Sequence, residues 1–242
     1  MKQGFYKAIK RVFDIFSSLL AIIVTSPLWL IISIGVLVSS KGPIFYKSER
    51  IGKDKKPFTL FKFRSMHVYH PEEGSDRTRE KGALVNEARI FPFGKLLRKS
   101  KMDELPQLLN ILAGHMSVIG PRPLTAAGVR RQYSGEHESI LTVRPGMACL
   151  DSLYDYVHGE MVVKDNDEFM QKIMPVRREL ARIYVEKRNV GLDLYCIFRT
   201  IRLIIEVVLL RKKHFPYTKY EKLAVERVFP EQSGDISQEG NR

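Results

Sequence analysis

The 24 residues from Ile15 to Val38 include no Asp, Glu, Lys or Arg and are mostly apolar. A helix needs about twenty such residues to cross a hydrocarbon core, so this run must meet lipid. It is long for the apolar part of a secretory signal, and no small-x-small cleavage pattern precedes the basic residues after it. Pro27, preceded by Ser26, falls near the middle, where its missing N–H removes a helical hydrogen bond and kinks the rod. Both flanks are basic. Lys2, Lys7, Lys10 and Arg11 precede the run, and Lys41, Lys47, Arg50, Lys53, Lys55 and Lys56 follow it. Basic flanks stay on the cytoplasmic side. A helix that breaks at Ser26-Pro27 and returns satisfies both flanks; the alternative, a Pro-kinked spanning helix, leaves one on the wrong side. Residues 1–41 are therefore expected to form a membrane-inserted re-entrant helix with its basic flank. Residues 42–229 form a cytoplasmic domain, and 230–242, polar and containing Gly, Ser and Gln, a disordered tail.

The whole chain has 242 residues, enough for one medium domain with its own core. The expected class is α+β, mainly helical, with a small β-hairpin. Ile44 to Tyr46 and Phe58 to Phe63 read as short strands around a Lys-rich turn from Gly52 to Pro57. His67 to Gly82 is polar and aperiodic, a surface loop; His67 and His70 have a ligand-like spacing, but an isolated pair in such a loop is ordinarily idle. From Ser100 to Gly114, Leu105, Leu108, Leu109 and Leu112 share one helical face, with Ser100 or Asp103 as cap and Pro106 in the first turn. Phe169 to Val190 reads as a charged helix. Leu192 to Leu210 reads as an apolar one, either a core helix or an interfacial helix whose Arg199 and Arg202 reach headgroups.

Forty Lys and Arg against 27 Asp and Glu leave a net charge of +13, which calls for an anionic partner. Cys149 and Cys196 lie far apart with no zinc-ligand spacing, so a disulfide framework is excluded and the reducing cytoplasm fits best. Three clusters point to phosphate chemistry. Asp103-Glu104 places two carboxylates at a helix start, where the dipole favours the anion and Mg²⁺ can be held through one or two oxygens; simple capping explains the same pair. In Gly120-Pro121-Arg122-Pro123, two prolines brace a guanidinium for bidentate phosphate binding, or bound a turn whose arginine makes a surface ion pair. Lys62-Phe63-Arg64-Ser65-Met66 puts Lys62, Arg64 and Met66 on one face, which a solvated basic edge strand also explains.

With Arg98 before the helix and Arg144-Pro145-Gly146 after it, these residues resemble the bacterial sugar transferases, the small monotopic phosphoglycosyl transferase class. The resemblance runs from about Lys10 to Leu210. It rests on Arg11-Val12-Phe13-Asp14, Ser26-Pro27, Gly42-Pro43-Ile44-Phe45, Lys62 through Met66, Arg98 through Asp103-Glu104-Leu105-Pro106-Gln107 to Asn110, and Met116-Ser117-Val118-Ile119-Gly120-Pro121-Arg122-Pro123. In this order and spacing the set is highly specific. The resemblance implies transfer of a sugar-1-phosphate from a UDP-sugar to polyprenyl phosphate at the inner membrane, with the catalytic domain facing the cytoplasm. Asp103 is then the nucleophile, Glu104 and Asp103 hold Mg²⁺, and Arg122 holds a phosphate; Lys62, Arg64, Arg98 and Arg144 are assigned to substrate. A homo-oligomer is compatible with it. Two departures touch sugar recognition: His115 stands where the family commonly has aspartate, and Met147-Ala148-Cys149-Leu150-Asp151-Ser152 replaces a stretch of small residues leading to Gln and Asn. A membrane-tethered nucleic-acid or lipid binder is the rival class, but the cations are dispersed among Pro-braced and carboxylate-bearing motifs, so no nucleic-acid partner is expected.

Overall fold

The computed structural model describes residues 3–68, 89–159, 163, 165–212 and 214–232. His70, most of the expected surface loop, Lys2 and the tail from 233 onward lie outside them. The chain opens with α1, Gln3–Ser39. An antiparallel hairpin follows, β1 (Phe45–Ile51) against β2 (Pro57–Phe63), in a register that sets Tyr46 opposite Lys62 and Arg50 opposite Phe58. Next come α2 (Pro92–Lys99), α3 (Gln107–Leu112), β3 (Ser117–Ile119) and α4 (Ala126–Gln132). β4 (Gly146–Ala148) pairs with β3 in parallel and leads into α5 (Leu150–Tyr154). α6 (Met174–Lys187), α7 (Val190–Ile204) and α8 (Lys219–Val228) complete the helical part, and a 3₁₀ turn, Pro230–Gln232, extends past it.

The first strand is longer than the sequence suggests, because Lys47, Glu49 and Arg50 mask its extended pattern. More consequential is α1, which does not break at Ser26-Pro27 but stays helical through the proline. Proline at 27 deprives the Ile23 carbonyl of its partner. The Ser26 hydroxyl supplies one, donating to Ile23 O at 2.8 Å. Thr25 and Ser33 likewise bond back to Ala21 O and Trp29 O, so the polar side chains in this apolar helix are satisfied locally.

One stripe of α1 stays against the rest of the protein along its length. Tyr6 and Lys10 reach Asp193 of α7, each at 2.8 Å, and Arg11 donates to Ile111 O and Leu112 O at the end of α3. Asp14 accepts from Ser117 and Val118 of β3. Ala21, Ile22 and Trp29 pack on Phe58, Leu60, Leu108 and Ile111, while Ile32 and Val36 pack with Phe63, Phe91 and Leu97. Ile32 and Val36 are fully buried, each stabilising this contact by about 1.5–3 kcal/mol. The opposite face is apolar and exposed, including Phe16, Leu20, Val24, Ile31 and Val38. α7 is similarly divided: Leu192, Cys196 and Leu203 enter the main core with Leu180 and Tyr184, or pack beside it, and Leu194, Phe198, Ile201 and Ile205 form an exposed apolar stripe at helical spacing. One side of that helix is therefore a core face, and the other is left exposed.

Candidate active site

Asp103 and Glu104 stand on a 3₁₀ turn, Met102–Glu104, between α2 and α3. The single helix expected from Ser100 to Gly114 is corrected here. Lys101 takes the left-handed conformation (φ 56°, ψ 14°), at a cost of about 1–2 kcal/mol for a residue with a Cβ, and turns the chain off α2. Neither expected cap acts as one. Ser100 Oγ donates backward to Leu96 O at 2.8 Å, and Asp103 Oδ1 is buried with no hydrogen-bond partner among the described residues.

The two adjacent carboxylates occupy opposite electrostatic settings. Burial pushes the Asp103 carboxyl above its usual range, with Lys62 pulling it down and Glu104 adding repulsion. An Asp103 stabilised as an anion by a helix start is thus not what the structure places there. Burial also opposes the Glu104 anion, but Arg122 and Lys62 outweigh it and hold that carboxyl well below the usual range. Glu104 Oε1 accepts from Lys62 Nζ at 2.8 Å and from Arg122 Nη2 at 3.2 Å.

Local packing sets this geometry. Asn110 of α3 bridges to β2 as a strand would: its Oδ1 accepts from Phe61 N at 3.1 Å and its Nδ2 donates to Thr59 O at 2.7 Å. That fixes Lys62 relative to the 3₁₀ turn. Arg122 is placed by the β3–β4 junction, where Gly120 N donates to Ala148 O at 3.0 Å and Gly146 N to Pro121 O at 2.9 Å. The two segments touch so closely that a Cβ on Gly146 would lie 2.2 Å from Gly120 N, and one on Gly120 2.5 Å from Arg144 O. Glycine is required at both.

Asp103, Glu104, Lys62 and Arg122 line a cavity of about 850 Å³, with Arg64 and Arg98 also on its wall. Such a volume accommodates a nucleotide-sized ligand. Arg64, however, is spent on structure: its guanidinium donates to Pro43 O, Ser40 Oγ, Ser40 O and Lys41 O, tying β2 to the end of α1. Arg98 contacts Met66 Sδ at 3.7 Å. Arg144 lies elsewhere, donating to Gly114 O at 2.8 Å and lining a separate cavity with Tyr6, Lys10 and Asp14. His67 bonds Ser40 at 2.9 Å and belongs to the cavity wall.

The sequence reading missed Lys47, Arg50, Arg89 and Lys101, which also line the cavity. The hairpin register could have found one of them, since Arg50 lies four residue pairs from the Tyr46–Lys62 pair, an even number, and thus shares its face. Seven cationic residues besides Arg64 then line the cavity with the two carboxylates, a field suited to a polyanion. Among the described residues no three or more His, Cys, Asp or Glu side chains converge as a metal cage. Asp103 and Glu104 are the carboxylate donors on the cavity wall, a set suited to Mg²⁺ that shares its coordination with substrate phosphates.

A cation-lined cavity, with an unpartnered carboxylate oxygen on its wall and a long helix with an exposed apolar face in the same body, agrees with the sequence resemblance. The chain belongs to the bacterial sugar transferase family, which it matches over residues 5–207. It is 37% identical over 202 residues to the UDP-glucose:undecaprenyl-phosphate glucose-1-phosphate transferase of Klebsiella pneumoniae, an alignment covering 82% of this chain and 40% of that protein. It is 34% identical over 203 residues to the UDP-N-acetylgalactosamine-undecaprenyl-phosphate N-acetylgalactosaminephosphotransferase of Aeromonas hydrophila, covering 83% and 44%. It is also 32% identical over 198 residues to the uncharacterized sugar transferase EpsL of Bacillus subtilis, covering 81% and 87%. The chain thus spans less than half the length of the first two.

Proposed function

We propose that the protein transfers a sugar-1-phosphate from a UDP-sugar to a polyprenyl phosphate, giving a polyprenyl-diphosphate-sugar and UMP and so initiating assembly of a glycan. The observation that carries this reading is Asp103: a buried carboxylate with an unpartnered oxygen on the wall of a cation-lined cavity. Orphaned buried oxygens are rare and costly, and they concentrate where chemistry needs them.

In the proposed reaction an Asp103 carboxylate oxygen attacks the β-phosphorus of the UDP-sugar. The bond from that phosphorus to the bridging oxygen breaks, and UMP leaves with the electron pair. The phosphosugar remains on Asp103 until an oxygen of polyprenyl phosphate attacks the same phosphorus and frees the carboxylate. Covalent catalysis divides one displacement between two polyanions into two steps at a shared site. Glu104 takes no part as nucleophile, because Lys62 and Arg122 already hold it. Instead it fixes those two cations beside the transferring group, where preorganised charge lowers the barrier most. Mg²⁺ held by Asp103 and Glu104 would supply further neutralisation of the diphosphate.

The lipid substrate requires a bilayer, and α1 supports a single-leaflet arrangement. Its 37 residues span about 55 Å, well beyond a hydrocarbon core of about 30 Å. A helix that packs on the same body from Tyr6 to Val36 cannot carry one end across without carrying that body too. The exposed stripes of α1 and α7 are the surfaces lipid would cover. We take the site to face the cytoplasm, as the basic flanks demand.

Purified protein in detergent, given a panel of UDP-sugars, undecaprenyl phosphate and Mg²⁺, should release UMP, and EDTA should stop the release reversibly. No UMP from any UDP-sugar would remove the transferase reading. For topology, Lys2→Cys and Lys55→Cys in intact cells should both escape an impermeant thiol reagent. The native Cys149 and Cys196 are buried and give little background. Labelling at either position refutes the single-leaflet arrangement.

A further inference from the structure

Within Pro121-Arg122-Pro123 only Arg122 has a backbone N–H, because the ring nitrogens of the prolines lack one. That N–H donates to Asp151 Oδ2 at 3.0 Å. Asp151 lies in the first turn of α5 and is 2% exposed, so the bond is shielded from water. Its other oxygen, Oδ1, is buried without a hydrogen-bond partner among the described residues. Among the described residues this buried side chain is thus committed to a single hydrogen bond, and that bond goes to the Arg122 peptide. Asp151 also falls in the stretch from Met147 to Ser152, where the chain departs from the residues common in the family.

We infer that Asp151 is a positioning residue: by fixing the Arg122 peptide it aims the guanidinium at Glu104 and at the phosphate of the substrate. This rests on the phosphoryl-transfer reading above. The path is continuous, from Asp151 to the Arg122 backbone and from the Arg122 guanidinium to Glu104 Oε1, which Lys62 shares. The prolines remove every other main-chain donor from the tripeptide, and a Cβ at Gly120 or Gly146 would force the junction apart. What they cannot fix is rotation of the Arg122 peptide itself, and that is the freedom the Asp151 carboxylate removes.

The test is a double-mutant cycle read as kcat/KM for UMP release, with melting midpoints measured for every variant. Asp151→Ala should lower kcat/KM about tenfold or more, the equivalent of one hydrogen bond to a charged group. Asp151→Asn, whose Oδ1 still accepts from Arg122, should recover it to within about threefold at a melting midpoint no higher than that of the Ala variant. Added to Arg122→Ala, Asp151→Ala should cost nothing more, since the two act through one guanidinium. Wild-type kcat/KM in Asp151→Ala, no recovery in Asp151→Asn, or full additivity in the double variant would overturn the inference. A wild type that turns over no UDP-sugar sinks the transferase reading instead. The same cycle is then read as UDP affinity by titration calorimetry, and affinity unchanged by both Asp151→Ala and Arg122→Ala overturns the positioning role.

Discussion

Asp14 and Asp103 are buried almost alike, 1% and 7% exposed, yet they stand in regions built on opposite terms. Around Asp14, donors converge on the carboxylate. Its Oδ1 accepts from Ser117 Oγ and Val118 N, both at 2.9 Å, and so rivets α1 to β3. Around Asp103 the cations pair with its neighbour Glu104, and Asp103 Oδ1 is left without a donor. A buried carboxylate bonded to a neighbouring strand holds a structure together; one with an orphaned oxygen beside a cation-lined cavity costs stability and is the proposed place of the chemistry.

Mutating each aspartate separates the two roles. Asp103→Asn should lower UMP release about 10³-fold or more while raising the melting midpoint. Asp14→Ala should do the reverse. Its Ser117 and Val118 donors lose their acceptor, costing about 1–3 kcal/mol, and the protein that remains folded should keep wild-type turnover. A fall in turnover per folded molecule as large as that of Asp103→Asn would erase the distinction. Arg122→Lys should cost about tenfold in kcat/KM, because a point ammonium cannot keep Glu104 and a phosphate in a planar fork. Unchanged kinetics would reduce Arg122 to a brace.

The smallest effects are in pH dependence, and their signs differ between the neighbouring carboxylates. Asp103 titrates above its unfolded value, so its contribution to stability is full below the unfolded pKa and is lost as pH rises through the folded one. Glu104 titrates below its unfolded value, so its contribution is present above the unfolded pKa and is lost as pH falls through the folded one. At neutral pH Asp103→Asn should therefore raise the melting midpoint and Glu104→Gln should lower it. The gain from Asp103→Asn should vanish below about pH 4, where the carboxyl is protonated folded or unfolded. Equal shifts in one direction would contradict the opposed settings. Catalysis should also fail on acidification at a pH above that of an ordinary carboxylate, since the attacking group must be ionised.

The same contrast explains what the sequence made legible. Asp103, Glu104, Lys62 and Arg122 were singled out because residue type and spacing suggest phosphate chemistry, and the fold brings all four to one cavity. Arg64 and Arg144 carried the same charge signal but were drawn off by backbone carbonyls, which no local pattern reveals. The helix expected around the dyad is a 3₁₀ turn followed by a shorter helix, and Lys101, in a left-handed conformation that its residue type disfavours, sets the turn off from the helix before it. Asp14 and Arg11 were visible only as parts of a motif; their partners lie about a hundred residues away, at Ser117 and at Ile111. Long-range hydrogen bonds between short elements are the information a one-dimensional pattern holds least of.

The proposed mechanism requires that Asp103 itself becomes covalently bound. Protein incubated with a radiolabelled UDP-sugar substrate and Mg²⁺, without polyprenyl phosphate, should retain label and release an equal amount of UMP. Peptide mass spectrometry should place a phosphosugar on Asp103, and adding polyprenyl phosphate should discharge it into lipid. An enzyme that turns over with lipid present but never retains label without it, or an adduct that maps to another residue, would contradict the claim and favour direct transfer between the two substrates.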